Sequence, residues 1–416
     1  MKIAFITLGC KLNYAETSTY ERGFAAKGFE TVPATEKADI YLVNTCSVTT
    51  HSENKCRNII RRCHRNAPDA AIIVTGCYAE LRRGEIAAIE GVKLVFGAGE
   101  KSRVVPDTLR MLEGSGSLPS IKEEITFAAY SSGERTRSFL KVQDGCDNLC
   151  AYCTVPYARG RSRNIPVCEA VRQAGEIAAS GIKEIVLTGV NTGDFGRSTG
   201  ESFLDLLKAL DRVEGIERYR ISSIEPNLIT PEIIEWIASG TKFLPHFHIP
   251  LQSGSDTMLK SVGRRYDTAL FASRIDAIRA AMERPGKSRV FFGIDVITGL
   301  PGETESLFME TYRFLEERIR PAFIHIFPYS PRPGTPAAGF PGQVQDSIKT
   351  ERVARLEELC ARLHESFIAE NRGLPEKVLW EDNNKKGMMS GYTGNYIRVE
   401  RPYDAKLAGT ISDIII

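Results

Sequence analysis

Asp144-Gly145-Cys146-Asp147-Asn148-Leu149-Cys150-Ala151-Tyr152-Cys153 follows directly on an apolar, strand-like run, Phe139-Leu140-Lys141-Val142. Its cysteines stand at C-x3-C-x2-C spacing, close enough in sequence for three thiolates to converge on one point. A closed tetrahedral site takes four ligands, so three leave a position open. A tetrathiolate iron–sulfur cube held by only three cysteines keeps one iron free for a further ligand. Two plainer readings stay open: a zinc site whose fourth ligand is remote, and a chance cluster of cysteines.

Upstream, the first hundred residues alternate strand and helix. Residues 2–8, 40–43 and 71–74 read as buried strands, with helical patterns around 16–27 and 51–65. That order predicts an open parallel sheet with helices on both faces. Each strand runs into a cysteine: Gly9-Cys10, Asn44-Thr45-Cys46 and Gly76-Cys77. Ligands of an open parallel sheet bind outside the carboxyl ends of its strands. Cys10, Cys46 and Cys77 are therefore expected to meet along one edge as a second three-thiolate site. They could instead be buried as small hydrophobes, which free cysteine often is. Cys56, Cys63, Cys168 and Cys360 fall within helical patterns and read as packing residues.

Downstream, the alternation continues for six rounds. Strands are expected at 138–143, 183–188, 218–222, 246–250, 289–297 and 322–327, with helices near 167–180, 202–213, 231–239, 267–282 and 304–318. Six βα units predict a partial barrel, open on one side, whose chemistry belongs at the carboxyl ends of its strands. The cysteine stretch follows the first of them. A proline-rich connector, 328–336, then leads to an amphipathic helix over 346–370 and to short strands at 378–381, 396–399 and 411–416.

C-x3-C-x2-C after the first barrel strand, with Tyr152 before the last cysteine, resembles the radical S-adenosylmethionine (SAM) superfamily. Leu8-Gly9-Cys10-Lys11-Leu12-Asn13, Asn44-Thr45-Cys46-Ser47-Val48 and Thr75-Gly76-Cys77 resemble the methylthiotransferases within it. Residues 374–416 resemble a TRAM domain, a small OB-like β-barrel that binds tRNA. The resemblance implies an α/β chain in three parts: 1–115 with the auxiliary cluster, a linker over 116–137, a radical SAM core over 138–370 in a (β/α)6 barrel, and a TRAM-like unit over 371–416.

It also implies two [4Fe-4S] clusters. One, on Cys146, Cys150 and Cys153, would bind SAM; reduction would release a radical that takes the C2 hydrogen of an adenosine. The other, on Cys10, Cys46 and Cys77, would carry the sulfur. Expected SAM contacts are Tyr152, Gly189, Asn191, Gln252, Asp295 and Gly299. Members act on N6-threonylcarbamoyladenosine at position 37 of tRNA, on isopentenyladenosine in tRNA, or on an aspartate of a ribosomal protein. Lys11 in the first motif and Gly391-Tyr392-Thr393-Gly394-Asn395-Tyr396 in the tail look most like the first type. The partners implied are the anticodon stem-loop and an electron donor such as flavodoxin or ferredoxin. From another class, a zinc-stabilised RNA-binding protein without catalysis remains the rival.

Composition bounds the rest. The 416 residues carry a net charge of +2, 42% hydrophobic and 25% charged residues, as soluble globular chains do. No stretch approaches a membrane span, and the opening does not read as a signal peptide. Ten cysteines in such a chain point to metal or catalysis, not disulfides, and to the cytoplasm. Local basicity singles out 55–65, with Arg61 and Arg62, as an RNA-facing or merely solvated helix face. Arg159 and Arg163 beside the cysteines are expected to position the RNA backbone; the Arg159–Arg163 segment is two residues shorter than the family's usual one. Lys385, Lys386, Tyr392, Tyr396 and Arg398 are the expected phosphate and stacking contacts of the tail.

Overall fold

The computed structural model describes residues 1–115, 126–133 and 136–416. The linker expected over 116–137 lies largely outside the described residues.

The N-terminal part is a five-stranded parallel sheet with Lys2–Thr7 and Ala71–Gly76 flanking Ile40–Thr45 at its centre. Its strands read as unbroken apolar runs because both faces are covered. Tyr41 and Val43 pack with Cys56, Ile60 and Cys63 of the helix Thr50–Asn66. Ile40 and Leu42 pack the other way, with Tyr20 and Phe24 of the helix Lys11–Ala25. Cys56, Cys63 and Cys360 are buried packing residues as expected, and Cys168 is exposed.

The second part holds six parallel strands: Arg137–Lys141, Glu184–Thr188, Arg218–Ile221, Phe243–Gln252, Phe291–Thr298 and Phe323–Pro328. Each pairs with its sequence neighbour, so the sheet winds in one direction. Ala129–Tyr130 adds a short antiparallel edge strand to the first. No pairing joins this edge to Phe323–Pro328 among the described residues, so the barrel is open. The helix Asp346–Asn371 packs on that last strand, with Leu356, Leu359 and Cys360 in the barrel's main core.

The tail forms a four-stranded antiparallel sheet, including a strand, Met388–Thr393, that the sequence pattern does not predict. Gly391 hides it. A Cβ there would lie 2.4 Å from a Val378 methyl, so close strand packing demands glycine where alternation would show a side chain. The sheet docks on the barrel instead of closing on itself. Arg218 and Arg220, at the start of a barrel strand, donate to the carbonyls of Lys377, Tyr392, Thr393 and Gly394 at 2.6–3.2 Å.

Candidate active site

Three neighbouring strands of the first sheet deliver Cys10, Cys46 and Cys77 to one edge. Gly9 has φ +104, and a Cβ there would stand 2.9 Å from Cys46 Cβ and 3.1 Å from its sulfur. Only glycine lets the backbone bring the first cysteine so close to the second. Burial pushes the Cys46 thiol up to about 12, and the nearby Cys77 and Cys10 add to it. Burial also raises Cys77, against the opposing fields of Arg159 and Lys101.

The second trio lies on the loop after Arg137–Lys141. Gly145 makes its sharp turn: φ is +71, and a Cβ would collide with the Arg161 carbonyl at 2.0 Å. Cys146 accepts the backbone N–H of Asn148 at 3.4 Å, and an Arg264 guanidinium nitrogen lies 3.2 Å from the Cys150 sulfur. Burial pushes Cys146 up to about 11 and Cys153 to about 12. Buried thiols of this kind stay protonated until a metal core displaces the proton, and the adjacent cations then offset the thiolate charge. Cations close to the sulfurs, Arg264 at Cys150 and Arg159 and Lys101 near Cys77, suit a bound core that is anionic.

A buried ionic network joins the two trios. Glu16, on the helix that follows Cys10, lies 2.6 Å from Lys101 and 2.7 Å from Lys141. Asp144, which opens the second loop, lies 3.0 Å from Lys101, 2.7 Å from Lys141 and 2.8 Å from Arg159. All five side chains are at most 3% exposed. With Arg163 3.6 Å from Asp144, four cations meet two carboxylates, and positive charge is left in surplus beside Cys77 and Cys10. The surplus suits a site whose bound core is anionic.

The network corrects one expectation. Arg159 is 3% exposed and bonds Asp144, Glu16 and Asn13, so it braces the two domains and offers no face to an RNA backbone. Arg163 is half-buried and donates to the Arg159 carbonyl at 2.7 Å.

Between Cys10 and the tail lies a cavity of about 960 Å³. Gly9, Cys10 and Lys11 form one wall; Phe139, Arg220, His246, His248, Phe291 and His325 line it from inside the barrel. Tyr392 and Tyr396, stacked at 4.8 Å, close it from the tail. Their rings therefore face inward, with Arg137 5.0 Å from Tyr392 and Arg220 4.7 Å from Tyr396. On the outer surface remain Lys385 and Lys386, while Arg398 stands at the cavity's rim, paired with Glu400 at 2.7 Å.

The expected SAM contacts divide into two groups. Tyr152, Gly189 and Asn191 gather round the second cysteine loop. Tyr152 hydroxyl is 3.4 Å from Arg264, Gly189 packs on Gln143, and Asn191 accepts the Glu225 backbone N–H. Gln252 ends its strand in a left-handed conformation, φ +70, rare for a side-chain-bearing residue. Asp295 instead bonds His248 at 2.6 Å. Gly299 lies against Lys349 of the long helix.

Arg61 and Arg62 are exposed on Thr50–Asn66, and Lys55, Arg62 and Arg65 line a shallow surface groove there. Reversing both to glutamate should weaken tRNA binding several-fold and lower the slope of log affinity against log salt by one to two, leaving thermal stability unchanged. An unchanged slope would mark the face as merely solvated.

Two family models match the chain: "Uncharacterized protein family UPF0004" over residues 2–97 and "Radical SAM superfamily" over residues 140–315. A protein of Bacillus subtilis named "Threonylcarbamoyladenosine tRNA methylthiotransferase MtaB" is 40% identical, over 95% of this chain and 89% of its own length. The chain belongs to the radical SAM methylthiotransferase family. Four further relatives of that name are 33–37% identical. A Nitratidesulfovibrio vulgaris relative named "tRNA-2-methylthio-N(6)-dimethylallyladenosine synthase" is 34% identical over 99% of this chain and 94% of its own. Among solved structures, the radical SAM methyltransferase TsrM from Kitasatospora setae superposes with a TM-score of 0.60 at 13% identity, covering 81% of this chain and 77% of that one. This likeness concerns the fold alone.

Several groups around the site of this methylthiotransferase carry no local sequence signal. Lys101 and Lys141 are isolated lysines in sequence. Arg264 and Glu225 meet at 2.5 Å beside Cys150 from separate barrel loops. Arg332 leaves the proline-rich connector to bond Ser47 and Glu53 behind Cys46. A lysine or arginine reads as surface until the fold encloses it.

Proposed function

We propose that this chain inserts a methylthio group at C2 of N6-threonylcarbamoyladenosine at position 37 of the tRNA anticodon loop. The observation that carries the reading is the buried Glu16–Lys101–Asp144 network, which holds the helix after Cys10 against the loop bearing the second trio, while Cys10 itself lines the cavity that enters the barrel. The full-length similarity to relatives named for that reaction supports it.

The adenine C2 hydrogen is too weakly acidic for a protein base at neutral pH, so general-base catalysis fails and a radical route is required. When bound, SAM and the two clusters supply that radical, the sulfur and the methyl group. The chain's own residues position and exclude. Cys146, Cys150 and Cys153 would hold the SAM-binding core, with Arg264 and the Asn148 amide stabilising thiolate charge. Cys10, Cys46 and Cys77 would hold the sulfur donor, with the Lys101–Arg159 network behind them. Phe139, Phe291, Tyr392 and Tyr396 offer flat apolar faces for a base flipped from a loop, where unstacking costs little. Electrons would come from a flavodoxin- or ferredoxin-like protein, and a tRNA substrate puts the work in the cytoplasm. Among the described residues, no helix is long and apolar enough to cross a membrane.

The test is nucleoside mass spectrometry after incubating the anaerobic holoenzyme with three substrates: a threonylcarbamoyladenosine stem-loop, an isopentenyladenosine stem-loop and ribosomal protein. A methylthio gain on the first is expected. Gain on either of the others alone would overturn the substrate, and a colourless, zinc-containing preparation would overturn the chemistry.

A further inference from the structure

The cavity holds four cationic side chains, and three are already engaged. Arg137 lies 3.0 Å from Glu184 and 3.3 Å from Glu381. Arg220 lies 2.9 Å from Glu184 and donates to two tail carbonyls at 2.8 Å. Arg398 pairs with Glu400. Lys11 is different: among the described residues its side chain, exposed to the open cavity beside Cys10, has no hydrogen-bond or ion-pair partner. The charged groups whose field reaches it are Arg220 and Arg137, which oppose its charge, and Asp295 and Cys10, which favour it. Asp295 is itself bonded to His248.

Around this ammonium the walls are aromatic: Phe139, Phe291, Tyr392 and Tyr396, with the imidazoles of His246, His248 and His325. Burial, the neighbouring His248 and Lys11 hold His325 down to about 4, so it stays neutral at physiological pH and can exchange hydrogen bonds without adding charge. An unpaired cation among flat apolar faces and the neutral rings of His246 and His325 suits a heteroaromatic base carrying one negative charge.

Resting on the tRNA reading above, we propose that Lys11 selects the substrate by pairing with the carboxylate of the adenine N6 substituent. The threonylcarbamoyl group ends in a carboxylate and a hydroxyl. An isopentenyl group is hydrocarbon throughout and would leave Lys11 desolvated and without a partner. A site with a polar group to satisfy rejects the ligand that cannot satisfy it. Lys11 is thus a specificity residue and takes no part in hydrogen abstraction.

The experiment compares stem-loops bearing threonylcarbamoyladenosine, its methyl ester and isopentenyladenosine, on the anaerobic holoenzyme and on its Lys11→Met and Lys11→Arg variants. Affinity is read by fluorescence anisotropy and turnover by kcat and KM. The wild type should bind the acid about ten- to a hundred-fold more tightly than the ester, the range of one charge-assisted hydrogen bond. Lys11→Met should lose that ratio chiefly through KM, and Lys11→Arg should keep most of it. An unchanged acid-over-ester ratio in Lys11→Met overturns the proposal. Equal wild-type affinity for acid and ester does so too, whatever the variant's iron content. Failure of the wild type to methylthiolate the acid stem-loop at all would instead strike the underlying reading.

Discussion

Cys150→Ala is expected to abolish both reductive SAM cleavage and methylthio transfer, whereas Cys46→Ala should abolish transfer and leave SAM cleavage. The asymmetry follows from where each sulfur stands. Cys150 belongs to the loop after the first barrel strand, 3.2 Å from Arg264 and within the field of Cys153 and Cys146. With two thiolates left, the core that would bind SAM loses a third of its protein ligands. Cys46 lies across the buried network, on another strand and another domain. Its loss removes one ligand of the other trio without touching the SAM loop. Iron content, 5′-deoxyadenosine release and methylthio product should be measured on the same preparations. Equal loss of cleavage in both variants would contradict two separate roles.

Glu16→Gln should lower stability by about 3–5 kcal/mol, the cost of leaving buried charge without its partner. The carboxylate meets Lys101, Lys141 and Arg159 at 2.6–3.3 Å and is fully buried. Without it Lys101, Lys141, Arg159 and Arg163 face Asp144 alone. The urea midpoint should fall, and adding Lys101→Met should recover part of the loss, because the double variant restores the wild-type balance of charge. A midpoint within error of the wild type would mean the network is energetically neutral. The acid limb carries the same signature. Burial alone would raise the Glu16 carboxyl, but Lys101, Lys141 and Arg159 outweigh it and hold the group well below the usual range. The unfolded chain takes up its proton first, near pH 4.5, so stability is fully present above that pH and drains as pH falls below it. Glu16→Gln should flatten that limb.

The strand and helix order of the barrel was legible, because parallel strands buried on both faces are apolar runs. In the first part Lys2–Thr7, Ile40–Thr45 and Ala71–Gly76 were legible for the same reason, but the more exposed outer strands Glu30–Thr31 and Val92–Phe96 were not. The six strands and five helices expected in the barrel are all present within a few residues of their expected places. Met388–Thr393 was not legible, since glycine at 391 and polar neighbours break its alternation. Arg159 misled for a related reason. Arginine beside a metal motif suggests phosphate, and only the packing of Glu16 and Asp144 against it reveals a buried brace. Tyr392 and Tyr396 look like surface stackers of a tail until the sheet docks and turns them into a cavity wall.

The sequence by itself determined where six cysteines fall, three on one loop and three at the carboxyl ends of parallel strands, and so made two three-thiolate sites the expectation. Local spacing and period suffice for that, because both are properties of a chain read in one dimension. The tertiary structure decided which charges are satisfied. Lys101, Lys141 and Arg159 find carboxylates more than forty residues away or across a domain boundary, while Lys11 finds none. Charge pairing depends on distance in space, and no pattern of neighbours along the chain encodes it.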